Sequence, residues 1–455
     1  MMQLRDYQIQ DAQFLAQLPS SACFNEQRTG KTPTALEVTK LRNLQDKKVL
    51  IITTASSLYQ WAKEYEVWLN RPCIVCEGTL KKKKQLVSEW TNGLVISIES
   101  FKDTAKSEGL ADIILQHKPE EVILDEAHKI KNPKSANAKA LFKTSKVPYK
   151  LALTGTPAPG KTYDIYSILK FLFPCEFRGF WKFIEEYYEI KDETIYTKNG
   201  SRTFKTYETF KPGKEKELQK LLNTFSTQRK RKEVMPWLPE KFYEQVKLEA
   251  TPKQKEYLDE LKKTFKVKDI ETTGTLDRLI RERQICLDPT LIGLKGKSPK
   301  TEYIKQYIKD NPEEQIIIFS KFTSYLINLS KELKTSWAMI VGSTKTANRN
   351  TFIEDFQNNK FKVFLLNIDA AKEAITLDNA DTTIFTDKYP PIGSIEQAED
   401  RFIASTKEKA NKSHKIIELM IRDTFDEQLY SLLEQRKSET DIINNYKHYL
   451  ERKTK

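Results

Sequence analysis

The stretch VILDEAH, residues 122–128, decides the fold class, because three aliphatic residues are followed at once by two acids. A short apolar run of this kind is typical of a strand buried on both faces, as the strands of parallel sheets are. Similar runs lie at residues 49–54, 94–98 and 149–153, with helical patterns between them. This alternation predicts an α/β fold in which helices cover both faces of a parallel sheet.

The same alternation returns in the second half of the chain. A last helix is predicted to begin at Thr424, because Thr424 and Glu427 have the spacing of a capping box. We therefore expect a second parallel-sheet lobe. Its candidate strands are residues 315–319, 337–341, 361–366, 382–386 and 415–420, with helices such as 322–333 and 347–356 between them.

The segment between these two parts has a different character, since residues 176–235 are aromatic, basic and interrupted by turns. The NG pair at 199–200 favours a type I′ hairpin turn, which would place Ile195 opposite Phe204. The expected organisation is a first lobe at 1–175, an inserted basic module with the hairpin at 176–240, a helical linker at 241–300, and a second lobe with a C-terminal helix at 301–455.

The composition excludes several classes of protein. Hydrophobic residues at 39% and charged residues at 31% fit a globular chain, and the apolar runs are too short to span a membrane. The first residues lack the apolar core of a secretory signal, and five cysteines in 455 residues do not suggest a disulfide framework. We expect a cytoplasmic protein, and the net charge of +13 favours a polyanionic partner.

The stretch NEQRTGKT, residues 25–32, has the features of a phosphate-binding loop. Gly30, Lys31 and Thr32 supply a tight turn, an ammonium and a hydroxyl for Mg²⁺, and they open a helix whose N-terminal dipole favours an anion. Asn25 stands where the standard loop has its first glycine. Taken alone, the stretch is also compatible with an ordinary turn.

Two further segments support the nucleotide interpretation. Asp125 and Glu126 follow a strand, at the edge of the sheet where ligands bind in open α/β folds. Asp125 is suited to hold Mg²⁺ and Glu126 to activate water. Thr154 lies at the end of another predicted strand, in the sequence LTGTP. Three such segments in this order argue against chance.

Together these motifs resemble those of the superfamily-2 helicases, and within them the Swi/Snf-type translocases on double-stranded DNA. The resemblance implies two RecA-like lobes in tandem, with ATP and Mg²⁺ bound in the cleft between them. It covers nearly the whole chain and is carried by LRDYQ at 4–8, residues 56–68, DEAHKIKNP at 125–133, QRKRKEV at 228–234, IIIFSKF at 316–322, GST at 342–344 and QAEDR at 397–401.

The family's roles are carried over onto the matching positions. Lys31, Asp125, Glu126 and Arg401 are the expected catalytic residues, with Arg401 as an arginine finger. Thr32 and Asp125 are the expected metal ligands. The predicted nucleotide-binding residues are Gln8, Arg28, Thr29, Gly30, Lys31, Thr32, Gln397 and Arg401. The residues predicted to contact DNA, from the resemblance or from the basic module, are Ser56, Thr154, Lys198, Arg202, Lys205, Arg229, Lys321, Thr344 and Thr376.

Three positions depart from the family pattern. Arg28 stands where the family has glycine, residues 372–377 replace a glycine-rich stretch, and Ala404 replaces a second arginine. An arginine finger contributes roughly 10³–10⁵ in rate, so the loss of one arginine bears on turnover. Either Arg401 acts alone, or Lys407 or Lys409 substitutes, or hydrolysis is slow.

The inserted module carries most of the excess charge. Residues 198–232 contain eleven basic and three acidic side chains, and aromatic residues are interleaved with them. Binding through such a surface would depend steeply on salt. The hairpin is interpreted either as a wedge acting where DNA strands separate or as a structural element packed on a lobe. Trp61 and Trp68 are interpreted as core residues.

The leading hypothesis is an ATP-dependent DNA translocase or helicase that acts as a monomer on duplex, forked or branched DNA. The chain resembles compact phage-encoded enzymes that reverse forks and migrate branches, which would place it in the host cytoplasm. Two alternatives remain open. One is a DNA-binding protein that keeps ATP mainly as a conformational ligand, and the other is an RNA-directed helicase.

Overall fold

The computed structural model describes residues 3–102, 110–158, 161–197, 200–238, 241–344, 346–370, 377–389, 395, 398–399, 414–435, 442, 445–446 and 449. The chain folds into two compact units, Met1–Pro236 and Trp237–Lys455. Each unit contains one large sheet whose strands are all parallel. The expected α/β fold with two parallel-sheet, RecA-like lobes is confirmed.

The first unit has a seven-stranded sheet. Its strands and the separate hairpin are β1 (Ser20–Cys23), β2 (Val49–Thr53), β3 (Cys73–Val75), β4 (Gly93–Ser97), β5 (Glu121–Leu124), β6 (Tyr149–Leu153), β7 (Lys191–Thr197), β8 (Gly200–Thr206) and β9 (Ser226–Thr227). The spatial order of the sheet is β3-β4-β2-β5-β6-β1-β9, while β7 and β8 pair antiparallel with each other.

Helices cover both faces of this sheet. They are α1 (Asp6–Ala16), α2 (Lys31–Leu41), α3 (Leu58–Leu69), α4 (Leu80–Ser88), α5 (Ile98–Phe101), α6 (Ala111–Gln116), α7 (Ala136–Phe142), α8 (Tyr166–Leu172), α9 (Phe180–Tyr187), α10 (Lys214–Phe225) and α11 (Arg231–Val234). Successive residues of a strand point to opposite faces, so Leu50 and Ile52 enter one core while Val49 and Ile51 enter the other. This is why the strand is apolar at four consecutive positions, Val49 to Ile52.

The second unit has a six-stranded sheet in the order β10-β17-β16-β13-β15-β14. Its elements are β10 (Lys241–Leu248), α12 (Pro252–Thr264), β11 (Lys266–Val267), β12 (Ile270–Glu271), α13 (Thr275–Leu287), α14 (Pro299–Asp310), β13 (Ile316–Ser320), α15 (Thr323–Glu332), β14 (Trp337–Ile340), α16 (Thr346–Gln357), β15 (Val363–Asn367), β16 (Thr382–Phe385), β17 (His414–Ile421) and α17 (Phe425–Glu434). Along β13, Ile317 and Phe319 face one core, and Ile316 and Ile318 face the other.

The boundaries of the units differ from the expected segmentation. The inserted module lies within the first unit, and the predicted helical linker 241–300 contains β10, which pairs parallel with β17 along eight residues. Strand β10 was not predicted because five of its eight side chains are exposed at the edge of the sheet, so its sequence lacks the continuous apolar run of a strand covered on both faces. Strand β1 was not predicted either, since its sequence SSAC lacks branched aliphatic residues.

The predicted register of the hairpin is wrong. Ile195 lies opposite Arg202 instead of Phe204, and Thr197 lies opposite Gly200, so each pairing partner is displaced by two residues from the expected one. The register places Thr194 opposite Thr203, and their hydroxyl groups form a hydrogen bond of 2.9 Å.

Thr424 caps the last helix as expected, accepting a hydrogen bond from the Asp426 N–H. The Glu427 carboxylate accepts the N–H of Asp423 rather than that of Thr424. Across the part of the chain that the structure describes, no helix combines the length and the apolar character needed to cross a membrane.

Candidate functional site

Four polar segments of the first unit meet at one edge of its sheet. They follow β1, β2, β5 and β6, and the carboxyl ends of parallel strands lie at the same edge. The segments are residues 24–30, 54–57, 125–126 and 154–156. Lys31, Asp125 and Glu126 are therefore carried on neighbouring parts of one edge.

The loop before α2 is shaped by its glycine. Gly30 adopts the left-handed conformation with φ of 76° and caps the N-terminus of α2. A Cβ at this position would lie 2.1 Å from the Gln8 Nε2 atom, so no other residue fits without displacing Gln8. The Lys31 ammonium donates to the carbonyl oxygens of Asn25 and Glu26, each at 3.1 Å. Helix dipole and ammonium thus both lie at the loop, as phosphate binding requires.

The first turn of α1 holds this loop in place. Gln8 donates through Nε2 to the carbonyl oxygens of Thr29 and Gly30, at 3.1 and 3.2 Å. The Tyr7 hydroxyl donates to the Thr29 carbonyl at 2.7 Å. Gln8 therefore lies directly beside the phosphate loop, and its contact with the nucleotide stays a prediction.

Asn25, which replaces the usual glycine, has a structural role. Its side chain donates to the Asp11 carboxylate at 2.7 Å and accepts the N–H of Arg229 at 2.9 Å. The Arg229 guanidinium makes two further bonds to Asp11, at 2.8 and 3.0 Å. The loop is thereby tied to α1 and to the segment after β9.

Asp125 is held by three donors. Its Oδ2 atom accepts from the Thr53 hydroxyl and from the indole N–H of Trp61, both at 2.8 Å, and its Oδ1 atom accepts the N–H of Glu126 at 2.9 Å. Burial, and then the adjacent Glu126 carboxylate, raise the pKa of Asp125, while the bonds from Trp61 and Thr53 oppose this rise. The sequence did not reveal Trp61 as a partner, since a tryptophan on an apolar helix face indicates only core packing.

Glu126 adopts a left-handed backbone conformation with φ of 49°. Its Oε2 atom lies 3.2 Å from the His128 Nδ1 atom, which in turn lies 3.1 Å from the Thr154 hydroxyl. A Cβ on Gly155 would lie 3.0 Å from the Gln27 side chain, so the segment after β6 packs closely on the phosphate loop. The two carboxylates and the loop are thus linked through residues 154–155.

The residues present fit a magnesium ion by their donor chemistry. Thr32 supplies a hydroxyl and Asp125 a carboxylate, which are the hard oxygen ligands that Mg²⁺ prefers, usually with several waters retained.

Two other predicted residues lie in turns of the first unit. Arg28 has a backbone φ of 62°, a conformation that the family's glycine at this position adopts without strain. Ser56 lies in the short turn Ala55–Ser57 before α3, where its hydroxyl bonds to that of Thr54 at 2.9 Å.

The second unit places other predicted residues in local pairs. The Lys321 ammonium lies 2.5 Å from the Asp369 carboxylate. The Thr344 hydroxyl accepts the N–H of Val341 at 3.0 Å. Lys205 is exposed on β8. Predicted DNA contacts by these residues, and by Ser56, Thr154 and Arg229, stay predictions. Lys198, Thr376, Gln397 and Arg401 lie outside the described residues, as does the side chain of Arg202.

Glu399, which precedes Arg401 by two residues, was not predicted to have a role. Its buried carboxylate accepts from Lys388 at 3.0 Å, from Lys241 at 3.1 Å and from the Tyr243 hydroxyl at 2.7 Å. Burial alone raises the pKa of Glu399, but the pairs with Lys388 and Lys241 outweigh burial and lower it.

Two parallel α/β lobes, the first with a phosphate loop and a DEAH segment at one sheet edge, define a protein of the tandem RecA-like class. Residues 7–291 match the SNF2-related domain, and residues 299–403 match the helicase conserved C-terminal domain. Since the first match covers more than half of the chain, the chain belongs to the SNF2-related family.

Several curated proteins are similar to this chain. An uncharacterized ATP-dependent helicase of Mycoplasma pneumoniae is 26% identical over 435 residues, covering 91% of this chain and 40% of that protein. The mouse DNA annealing helicase and endonuclease ZRANB3 is 24% identical, covering 94% of this chain and 39% of that protein. The chain thus spans about two fifths of the length of these relatives.

A solved structure is also similar. The Sulfolobus solfataricus SWI2/SNF2 ATPase core in complex with dsDNA is 23% identical, with a TM-score of 0.44, and the match covers 95% of this chain and 91% of that one.

Proposed function

We propose that the chain is an ATP- and Mg²⁺-dependent DNA translocase, that is, a DNA-dependent ATPase acting on duplex or branched DNA. The observation that carries the proposal is the meeting of Lys31, Asp125 and Glu126 at one sheet edge in a member of the SNF2-related family. The names of its relatives, an ATP-dependent helicase and a DNA annealing helicase, support the same activity.

Each residue has a distinct task in this proposal. Lys31 and the N-terminus of α2 bind the phosphates of the nucleotide. Bound Mg²⁺ would neutralise phosphate charge near Thr32 and Asp125. Glu126 orients the attacking water and takes its proton, and His128 holds the Glu126 carboxylate at 3.2 Å. Arg401, from the second lobe, stabilises the charge on the transferred phosphoryl group.

The test is a set of phosphate-release measurements with duplex, single-stranded, forked and four-way DNA at two salt concentrations. We expect DNA to stimulate turnover, and more weakly at the higher salt because phosphate contacts release counterions. Lys31→Ala should abolish nucleotide binding, whereas Glu126→Gln should bind nucleotide and not hydrolyse it. Stimulation by RNA alone, or turnover unaffected by any DNA, would contradict the proposal.

The same measurement separates the second candidate function, a DNA-binding protein that uses ATP mainly as a conformational ligand. Ala404, in place of the family's second arginine, favours this candidate. It predicts that ATP changes the affinity for DNA while phosphate release stays slow with every DNA.

The narrower proposal is that the protein remodels forks or migrates branches, with the hairpin β7–β8 as a wedge. The base of this hairpin is firmly attached to the first lobe. The rings of Tyr188 and Phe210 stack with their centroids 4.5 Å apart. The ring centroid of Tyr207 lies 4.9 Å from that of Tyr163 and 5.5 Å from that of Trp181. A wedge needs such a rigid base, because it must resist force at its tip.

The wedge is tested by shortening the hairpin without disturbing its base. Residues 193–204 are replaced by Asn-Gly, which joins the paired positions Asp192 and Lys205 and keeps Tyr207 in place. We expect branch migration to fall at least 10-fold while duplex-stimulated hydrolysis is retained. Unchanged branch migration in a folded variant would leave the hairpin with a purely structural role.

A further inference from the structure

Trp61 packs in the core of the first unit and also donates a hydrogen bond to Asp125. It is 2% exposed and lies on α3, in the core formed with Leu58, Tyr65 and Leu69. Its N–H donates not to a backbone carbonyl but to the Oδ2 atom of Asp125, at 2.8 Å. A hydrogen bond to a charged acceptor is stronger than one to a neutral acceptor and more sensitive to its geometry.

Thr53 donates to the same oxygen, also at 2.8 Å. Thr53 and Trp61 lie on either side of the turn at residues 54–57, Thr53 at the end of β2 and Trp61 in the first turn of α3. Inside the turn, the Thr54 hydroxyl bonds to those of Ser56 and Ser57, at 2.9 and 3.0 Å. Any shift of this turn therefore moves both donors of the Asp125 carboxylate.

Trp90 provides an internal comparison. It is also buried in the first unit, at 1% exposure, and its indole N–H donates to the backbone carbonyl of Asn92 at 2.8 Å. A buried indole is thus satisfied elsewhere in this lobe by a neutral acceptor. At Trp61 the bond has a further consequence, since it fixes the orientation of a carboxylate whose Oδ2 atom takes two side-chain donors and whose Oδ1 atom takes only the N–H of Glu126 among the described residues.

We propose that Trp61, together with Thr53, is a positioning residue that aims the Asp125 carboxylate at Mg²⁺ and transmits to it the contact of DNA with the turn 54–57. This inference rests on the proposed function, because it needs nucleotide, metal and DNA to bind where that function places them. Two hydrogen bonds, from Thr53 and Trp61, join the residues that flank the turn 54–57, which contains the predicted DNA contact Ser56, to the Asp125 carboxylate.

The test uses Trp61→Phe, which removes the N–H and keeps an aromatic ring, with Trp90→Phe as the matched control. Thr53→Val removes the second donor at nearly constant volume. For each variant we would measure the affinity for a non-hydrolysable ATP analogue with and without Mg²⁺, and the thermal midpoint of the free protein. DNA stimulation of phosphate release is measured in parallel.

We expect Trp61→Phe to bind the analogue normally without Mg²⁺ and to lose about 10-fold of the tightening that Mg²⁺ provides, with a matching loss of DNA stimulation. Thr53→Val should do the same more weakly, and Trp90→Phe should do neither. Equal behaviour of Trp61→Phe and Trp90→Phe would overturn the inference. If Trp61→Phe lost the tightening by Mg²⁺ but kept full DNA stimulation of phosphate release, Trp61 would not transmit DNA contact to Asp125.

The results would differ if the proposed function itself were wrong. In that case DNA would not stimulate the unaltered protein at all, which also overturns transmission. The Mg²⁺ dependence of analogue binding would still decide whether Trp61 positions Asp125.

Discussion

Single residues shape the phosphate loop through size as much as through charge. Gly30 combines a left-handed backbone with a close approach to Gln8, whereas Gly213 has a similar φ of 80° and no atom within 4 Å of its missing Cβ. A side chain at Gly213 would therefore meet backbone strain alone, whereas one at Gly30 would meet backbone strain and a steric clash with Gln8. At Gly30 both effects act on a loop that is already bonded to Gln8 and Tyr7.

We predict that Gly30→Ala lowers the free energy of unfolding by more than the roughly 1–2 kcal/mol of left-handed strain, and weakens nucleotide binding at least 10-fold. Displacement of the Gln8 amide is the additional cost. Urea unfolding and nucleotide titration measure the two effects. Gly213→Ala should show the strain alone, and equal losses in the two variants would refute the steric argument.

At the scale of elements, β9 connects the end of the inserted module to the phosphate loop. It pairs parallel with β1, and Arg229 just beyond it binds Asp11, which is 1% exposed. Removing the charged partner of a buried carboxylate strongly destabilises a protein, because the remaining charge is left uncompensated. The basic run at 229–232 therefore contains at least one residue whose charge stabilises the fold.

We predict that Arg229→Ala destabilises the protein by about 3 kcal/mol, because among the described residues the Asp11 carboxylate would keep the amide of Asn25 as its one side-chain donor. Lys232→Ala, an exposed change in the same run, should leave stability within about 0.5 kcal/mol. Thermal or urea unfolding measures both. If Arg229→Ala is as stable as Lys232→Ala and only DNA affinity falls, Arg229 acts in DNA binding rather than in folding.

At the scale of the whole molecule, the proposed activity requires both units. Lys31 and Glu126 belong to the first unit and Arg401 to the second. Hydrolysis that needs an arginine from the second lobe depends on the two units acting together, whereas phosphate binding by Lys31 does not. Binding and turnover should therefore respond differently to changes in the second unit.

We predict that Arg401→Ala lowers DNA-stimulated turnover by roughly 10³-fold and changes nucleotide affinity by less than 10-fold. Single-turnover hydrolysis and analogue titration give the two values. Ala404→Arg, which restores the family's second arginine, should raise turnover. Full turnover in Arg401→Ala would assign the finger to another residue, with Lys407 and Lys409 the next to replace.

The sequence alone determined the two parallel sheets and the placement of the nucleotide motifs. Apolar runs at residues 49–54 and 149–153 correspond to Val49–Thr53 and Tyr149–Leu153, because strands buried on both faces are apolar at most positions, with Thr53 and Lys150 as buried exceptions. Parallel strands end at one edge, so Lys31, Asp125 and Glu126 could be expected to lie near one another. These features follow from local patterns and one rule of topology.

Tertiary structure decided which side chains meet. Arg229 binds Asp11 across 218 positions of sequence, and Trp61 binds Asp125 across 64, although the sequence indicated a DNA contact for one and core packing for the other. The hairpin register likewise places Thr194 opposite Thr203, which the turn residues did not indicate. A hydrogen bond forms where folding brings a buried donor to an acceptor, and no local pattern records that distance.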